Sequence, residues 1–162
     1  MTNDPRAVSN PMFGKNLFKI GIFSANCDGG LTMSLAPERW GADWDDIANM
    51  SKLADDAGME FILPVAKWRG YQGKANIYGK SFETLTHSAA IGALTKRICV
   101  FSTIHVPLIT PAFAAKALST IDHVTHGRAA LNIVCGWNQA EFDLHGVTID
   151  QDSRYDHGLE WW

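Results

Sequence analysis

Gly127-Arg128-Ala129-Ala130-Leu131-Asn132-Ile133-Val134-Cys135-Gly136-Trp137-Asn138 is a short apolar run that leaves a tight turn at its start and ends in small and polar residues. Its length and its two-sided apolar character read as a buried parallel strand, since a half-exposed strand would alternate. Asn132 puts an amide where a purely structural strand would carry Val or Ile. A buried amide needs partners, and parallel α/β folds gather their ligands at the carboxyl ends of their strands. Asn132 is therefore a candidate ligand contact on the residues alone.

Working outward from that strand, the chain alternates strands and helices. Leu17 to Ala25 reads as a first strand, and Asp43 to Ala57 as a helix with apolar or small residues at helical spacing and Gly58 as its stop. Glu60 to Pro64 is a second strand, Phe82 to Leu94 a second helix and Ile98 to Ile104 a third strand. Pro111 to Val124 is a third helix with proline in its first turn, and His126-Gly127 turns the chain into the fourth strand. Strands separated by helices predict right-handed βαβ crossovers and a parallel sheet.

The loops are unequal. Helix-to-strand connections such as Gly58-Met59 are short, whereas Asn26 to Ala42, Val65 to Ser81 and Cys135 to Ser153 are long and all follow strands. They therefore lie at one end of the sheet, which in a (β/α) barrel is the catalytic face. A dinucleotide-binding sheet is a poor match, because Cys27-Asp28-Gly29-Gly30 lacks the G-x-G-x-x-G spacing.

Composition narrows the class. The chain has 162 residues, 46% of them hydrophobic, and a net charge of −3, as expected of about one soluble domain. Its 14 Lys and Arg are scattered, so no basic stripe suggests nucleic acid, and no apolar run approaches a membrane span. Met1 to Asn16 is polar and reads as a loose arm, leaving 17–162 as the folded unit. Cys27, Cys99 and Cys135 are far apart and odd in number, which fits reduced cytoplasmic thiols, and no histidine pair has metal-ligand spacing. Leu159-Glu160-Trp161-Trp162 looks like the first turns of an amphipathic helix, so a fragment or truncated frame is expected.

Several motifs carry a resemblance. Phe23-Ser24-Ala25-Asn26 with Gly29-Gly30-Leu31, Ala66-Lys67-Trp68-Arg69-Gly70, Thr120-Ile121-Asp122-His123 before Gly127-Arg128, and Asn132-Ile133-Val134-Cys135-Gly136-Trp137 with Glu141, Arg154 and Tyr155 stand in order from about Lys19 onward. Together they resemble the bacterial luciferase-like, flavin-dependent monooxygenases, nearest the pyrimidine, dimethylsulfone and alkanesulfonate branches. The resemblance implies a TIM (β/α)8 barrel, of which this chain would supply about the first four βα units. It also implies reduced FMN, supplied by a separate NAD(P)H:flavin reductase, reacting with O2 to oxygenate a small heterocyclic or organosulfur substrate. The flavin carries the oxygen chemistry and the protein orients it. A homo-oligomer is implied for the full-length protein.

Carried over by position, Ala66 and Lys67 match a flavin-contacting pair at the second strand's tip. Asn132 matches an amide that both donates and accepts at the pyrimidine-like edge of the ring. Glu141 matches a further contact, and Arg154-Tyr155 a pair near the ribityl and phosphate groups. Ser102-Thr103 occupies the third-strand tip that backs the flavin, in some relatives through a non-prolyl cis peptide. The Thr103 hydroxyl there would hydrogen-bond a flavin peroxide, which makes Thr103 and Asn132 the catalytic candidates. Ala129 departs from the aromatic that relatives commonly carry after Gly-Arg.

Plainer readings compete. Lys67 and Arg69 also fit solvated loop charges, and Glu141 with Arg154 a surface ion pair. His105 reads as an acid or base at the third-strand tip, His123 and His126 as structural, and Cys135 as a small buried thiol. Trp68 and Trp137 sit where loops could wall a pocket. A deazaflavin-dependent hydride-transfer enzyme of the same fold and a catalytically silent flavin-binding or assembly module are the alternative functions.

Overall fold

The computed structural model describes residues 10–162. Strands β1 (Gly21–Phe23), β2 (Phe61–Leu63), β3 (Cys99–His105) and β4 (Ala129–Val134) form one sheet in chain order, with every pairing parallel. Helices α1 (Trp44–Asp56), α2 (Thr84–Leu94) and α3 (Pro111–Thr125) connect them, and α4 (Gln139–Phe142) and α5 (Ser153–Trp161) follow β4. The expected alternation is therefore present, as an open parallel sheet of four βα units. No helix among the described residues is long and apolar enough to cross a membrane.

Local chemistry sets the helix ends. Thr110 caps α3 by accepting from the Phe113 amide, with Pro111 in the first turn. His126 closes that helix in the left-handed region at φ 56°, and Gly127 follows. Glu83 caps α2, its two carboxylate oxygens accepting from the Leu85 and Thr86 amides at 2.8 and 2.7 Å.

The first two strands are shorter than the apolar runs that announce them, at three residues each against Leu17–Ala25 and Glu60–Pro64. Leu17 and Phe18 lie exposed, and at Ile20 a Glu60 side-chain oxygen accepts the amide at 2.8 Å. At the other end Ser24 turns to φ 64° and takes the backbone out of the sheet. Gly21 is fixed by close approach, since a Cβ there would come within 2.5 Å of the Phe61 ring.

Of the arm expected over 1–16, residues 1–9 lie outside the described residues. Residues 10–16 are tied down rather than loose. Asn10 is buried and donates to the Gly127 carbonyl, Lys19 donates to the Pro11 and Gly14 carbonyls, and Asn16 donates to Glu60. A short 3-10 turn, Pro11–Phe13, carries the segment across the base of the sheet.

Strand period divides the sheet into two faces. Ile22, Ile62, Val100 and Ile104 turn toward the helices and pack with Ile47, Leu85, Ile91 and Ile121 in the main core. The alternate residues Phe61, Phe101, Thr103, His105 and Asn132 share the opposite face. There Phe61 meets Phe101 edge-on at 5.8 Å, and Thr103 pairs in register with Asn132. β1 and β4 are the sheet's edges.

Candidate functional site

All the long loops emerge at the C-terminal ends of the strands, and between the loops after β2 and β3 lies a cleft of about 210 Å³. Ala66, Lys67, Trp68, Thr103 and His105 line it, closed on one side by Ser81–Leu85 at the entry to α2. Two of its walls are strand tips, which hold backbone positions more firmly than free loops do.

Lys67 is not a solvated loop charge. Its side chain is 7% exposed, its ammonium lies 3.4 Å from Glu141 Oε1, and Tyr71 and Trp137 present ring faces to it at 4.7 and 5.1 Å. Arg69, two residues on, is exposed and has the solvated character expected of such a residue. Glu141 is 2% exposed and also accepts the Trp68 amide at 3.2 Å. Its ion-pair partner is thus Lys67, not Arg154, and the pair is buried. This desolvated pair bridges the loop after β2 to α4, segments far apart in the chain.

On β3 and β4, Asn132 Nδ2 donates to Thr103 Oγ1 at 3.2 Å, and Thr103 donates onward to the Pro64 carbonyl at 2.5 Å. The Thr103 proton is therefore committed within the protein, which leaves the hydroxyl oxygen to act only as an acceptor. What Thr103 does is orient the Asn132 amide. Asn132 Oδ1 has no protein partner among the described residues.

Ser102 and Thr103 do not act as a pair. Consecutive strand residues point to opposite faces, and Ser102 is fully buried on the helix side, its hydroxyl unpartnered, outside the cleft lining. The described residues contain no cis peptide bond, so the Ser102–Thr103 peptide is trans, unlike the cis form considered from the sequence. Arg154 and Tyr155 also separate, because helix neighbours are about 100° apart. Arg154 is buried and donates to the Gly136 carbonyl at 2.6 Å with its Nε left unpartnered, whereas Tyr155 is 62% exposed. Gly136 itself is obligatory, with φ 83° and the Phe142 ring 2.3 Å from where a Cβ would sit.

His105 is the residue the sequence indicated least sharply and the cleft uses most directly. It is buried, stands edge-on to Phe142 at 6.1 Å, and its Nδ1 has no partner among the described residues. Burial lowers its pKa, with Lys67 and His145 acting in the same direction and Glu141 against it, so the ring is neutral at pH 7. His123 and His126 are exposed at the far end of α3. The thiols are ordinary: burial pushes Cys27 up to about 12 and Cys99 up to about 11, leaving both protonated. Cys135 is half-buried against Gly158.

The chain is similar to the pyrimidine monooxygenase RutA of Pseudomonas syringae pv. syringae, with 30% identity over 145 residues that cover 88% of this chain and 40% of the relative. Among solved structures it is similar in fold to the EDTA monooxygenase EmoA from Chelativorans sp. BNC1, with TM-score 0.75 and 18% identity over 88% of this chain and 35% of that one. It is also similar to the oxygenating constituent of 3,6-diketocamphane monooxygenase from Pseudomonas putida, solved in complex with FMN, with TM-score 0.62 and 18% identity over 88% and 36% of the two chains. The chain thus spans about 40% of the length of the curated relative, and the fold it shares with these luciferase-like TIM-barrel proteins is a partial barrel. Residues 18–162 match the family model described as luciferase-like monooxygenase, and the chain belongs to that family of flavin-dependent enzymes.

Proposed function

We propose that residues 17–162 form the N-terminal, FMN-binding half of a two-component monooxygenase, working in the cytoplasm with a separate NAD(P)H:flavin reductase and O2. The observation that carries this reading is the set of uncommitted polar atoms at one end of the sheet. Asn132 Oδ1, His105 Nδ1 and Arg154 Nε lack protein partners among the described residues, and the last two are buried. Buried unpartnered polar atoms are rare, and a polar ligand is the simplest way to satisfy them. Planar amide, imidazole and guanidinium groups suit a heterocycle with an attached anionic tail.

FMN, when bound, supplies the oxygen chemistry. The residues supply its setting. Asn132, held by Thr103, would offer its amide oxygen and second amide hydrogen to the polar edge of the ring. Ala66 and Lys67 would hold the ring from the β2 tip, with Glu141 keeping the ammonium in place. Arg154 would provide a cation for the ribityl and phosphate groups, and Tyr155 would add a hydroxyl to them. Trp68, Phe82 and Ile109 exclude water from the cleft. The similarity to a pyrimidine monooxygenase favours a small heterocycle as substrate over an organosulfur compound.

Fluorescence titration with FMN tests the site, and Asn132→Ala should weaken binding by about tenfold or more. Unchanged affinity would remove Asn132 from it. Oxygen consumption by the full-length protein, given reduced FMN and uracil, tests the reaction. Turnover only with a deazaflavin, or binding without turnover, would replace it with hydride transfer or a silent module respectively.

A further inference from the structure

The loop from Val65 to Ser81 carries Ala66, Lys67 and Trp68, yet the backbone ladder that should hold its start ends too early. The last main-chain bond between β1 and the second-strand segment runs from the Ser24 amide to the Leu63 carbonyl at 3.1 Å, and at Ser24 the chain leaves the sheet. On the β1 side Val65 has no strand beside it. In place of that strand stands the side chain of Asn26.

Asn26 Oδ1 accepts the Val65 amide at 2.9 Å, and Nδ2 donates to the Val65 carbonyl at 2.9 Å. One side-chain amide thus gives a single residue both bonds that a neighbouring strand would give. The second Nδ2 hydrogen goes to the Phe82 carbonyl at 3.1 Å, and the Phe82 amide returns to the Asn26 carbonyl at 3.0 Å. Both ends of the loop are therefore fastened to one residue, which is 1% exposed. No other side chain type supplies one acceptor and two donors in this plane at this length.

We propose that Asn26 is the positioning residue for the Ala66–Lys67 segment. It extends the sheet by one rung of side-chain hydrogen bonds and so sets the height at which that segment meets the flavin. Asn26 does not itself line the cleft; it acts through its bonds to Val65 and Phe82. The consequence for FMN rests on the reading given under Proposed function, whereas the positioning of the loop does not.

The loop has a second tie, which provides the control. Asp28 accepts the Lys80 amide at 3.0 Å and pairs with Arg39 at 3.1 Å, at the far side of the loop from Ala66. Asn26→Ala and Asp28→Ala are compared in the intact chain for Tm, for FMN affinity by fluorescence, and for hydrogen exchange at the Trp68 amide, which Glu141 holds. Asn26→Ala should weaken FMN binding by about tenfold and speed Trp68 exchange. Asp28→Ala should lower Tm comparably while leaving both of those nearly unchanged. If affinity and exchange follow Tm alike in both variants, Asn26 is merely structural and the proposal falls. If the wild type does not bind FMN, the flavin reading fails, and Trp68 exchange alone then decides for or against Asn26. Should Asn26→Ala not fold, Asn26→Asp replaces it, keeping the acceptor for Val65 and losing both donations; Trp68 exchange equal to wild type would overturn the proposal.

Discussion

The two ends of the sheet treat buried polar groups in opposite ways. At the N-terminal ends of the strands, Arg128 donates five hydrogen bonds, to Thr125, Thr95, Ile98 and Gly92, and the Asp55 carboxylate accepts the amides of Lys96, Arg97 and Ile98. At the C-terminal ends, Lys67 and Glu141 satisfy each other, but His105 Nδ1 and Arg154 Nε do not find partners among the described residues. One end has completed its hydrogen bonding within the fold. The other keeps valences in reserve, and a barrel's stability face and ligand face differ in just this respect.

Arg128→Leu should break that contrast most severely. It leaves four buried carbonyls without their Arg128 donors, and a loss on the order of 3–5 kcal/mol is expected in urea unfolding, with little recovery in Arg128→Lys because an ammonium cannot fork. At the other end, Lys67→Met and Glu141→Gln should each cost about 2–4 kcal/mol by stranding a buried partner, while the double variant recovers part of that loss. Additive costs would mean that the pair is not coupled.

His87 sharpens the comparison from another side. It lies in the first half of α2 with both ring nitrogens unpartnered and does not line the cleft, so its orphan atoms are not a ligand's. Burial lowers its pKa from 6.5 to about 4, against a smaller opposing effect of Glu83. Between those values the unfolded chain binds a proton that the folded chain does not. Stability contributed by neutral His87 is therefore full above pH 6.5 and is lost as pH falls toward 4, by on the order of 3 kcal/mol. His87→Leu should flatten that part of the pH–stability curve, and an unchanged slope would refute the assignment. Tyr155→Phe stands at the small end: being exposed, it should change stability by less than about 0.5 kcal/mol, and any loss of FMN affinity would then report a direct contact.

The alternation of strands and helices was legible because its signals are local: Gly58 after a periodic segment, Pro111 in a first turn, apolar runs of strand length. Strand lengths were not, since Glu60 and Ser24 end β1 by a side-chain carboxylate and a positive φ that no hydrophobic pattern records. In the structure Ala66, Lys67 and Thr103 line one cleft, and Asn132 bonds to Thr103. The partnership of Lys67 with Glu141 did not show in the sequence, because contact across 73 intervening positions has no periodic signature. The neighbour pairs Ser102-Thr103 and Arg154-Tyr155 misled for a simpler reason. A motif lists residues side by side, whereas a strand or helix turns them apart.

The order β1-β2-β3-β4 has a consequence for how the protein is made. Each strand pairs with the one synthesised just before it, so a newly emerged βα unit meets a template already present at the ribosome. At synthesis rates of roughly 5–20 residues per second, slow beside strand pairing, assembly can keep pace with translation from the amino terminus onward. The growing edge at each stage is the strand just added, and β1, β2 and β3 each expose that edge only until the next strand arrives.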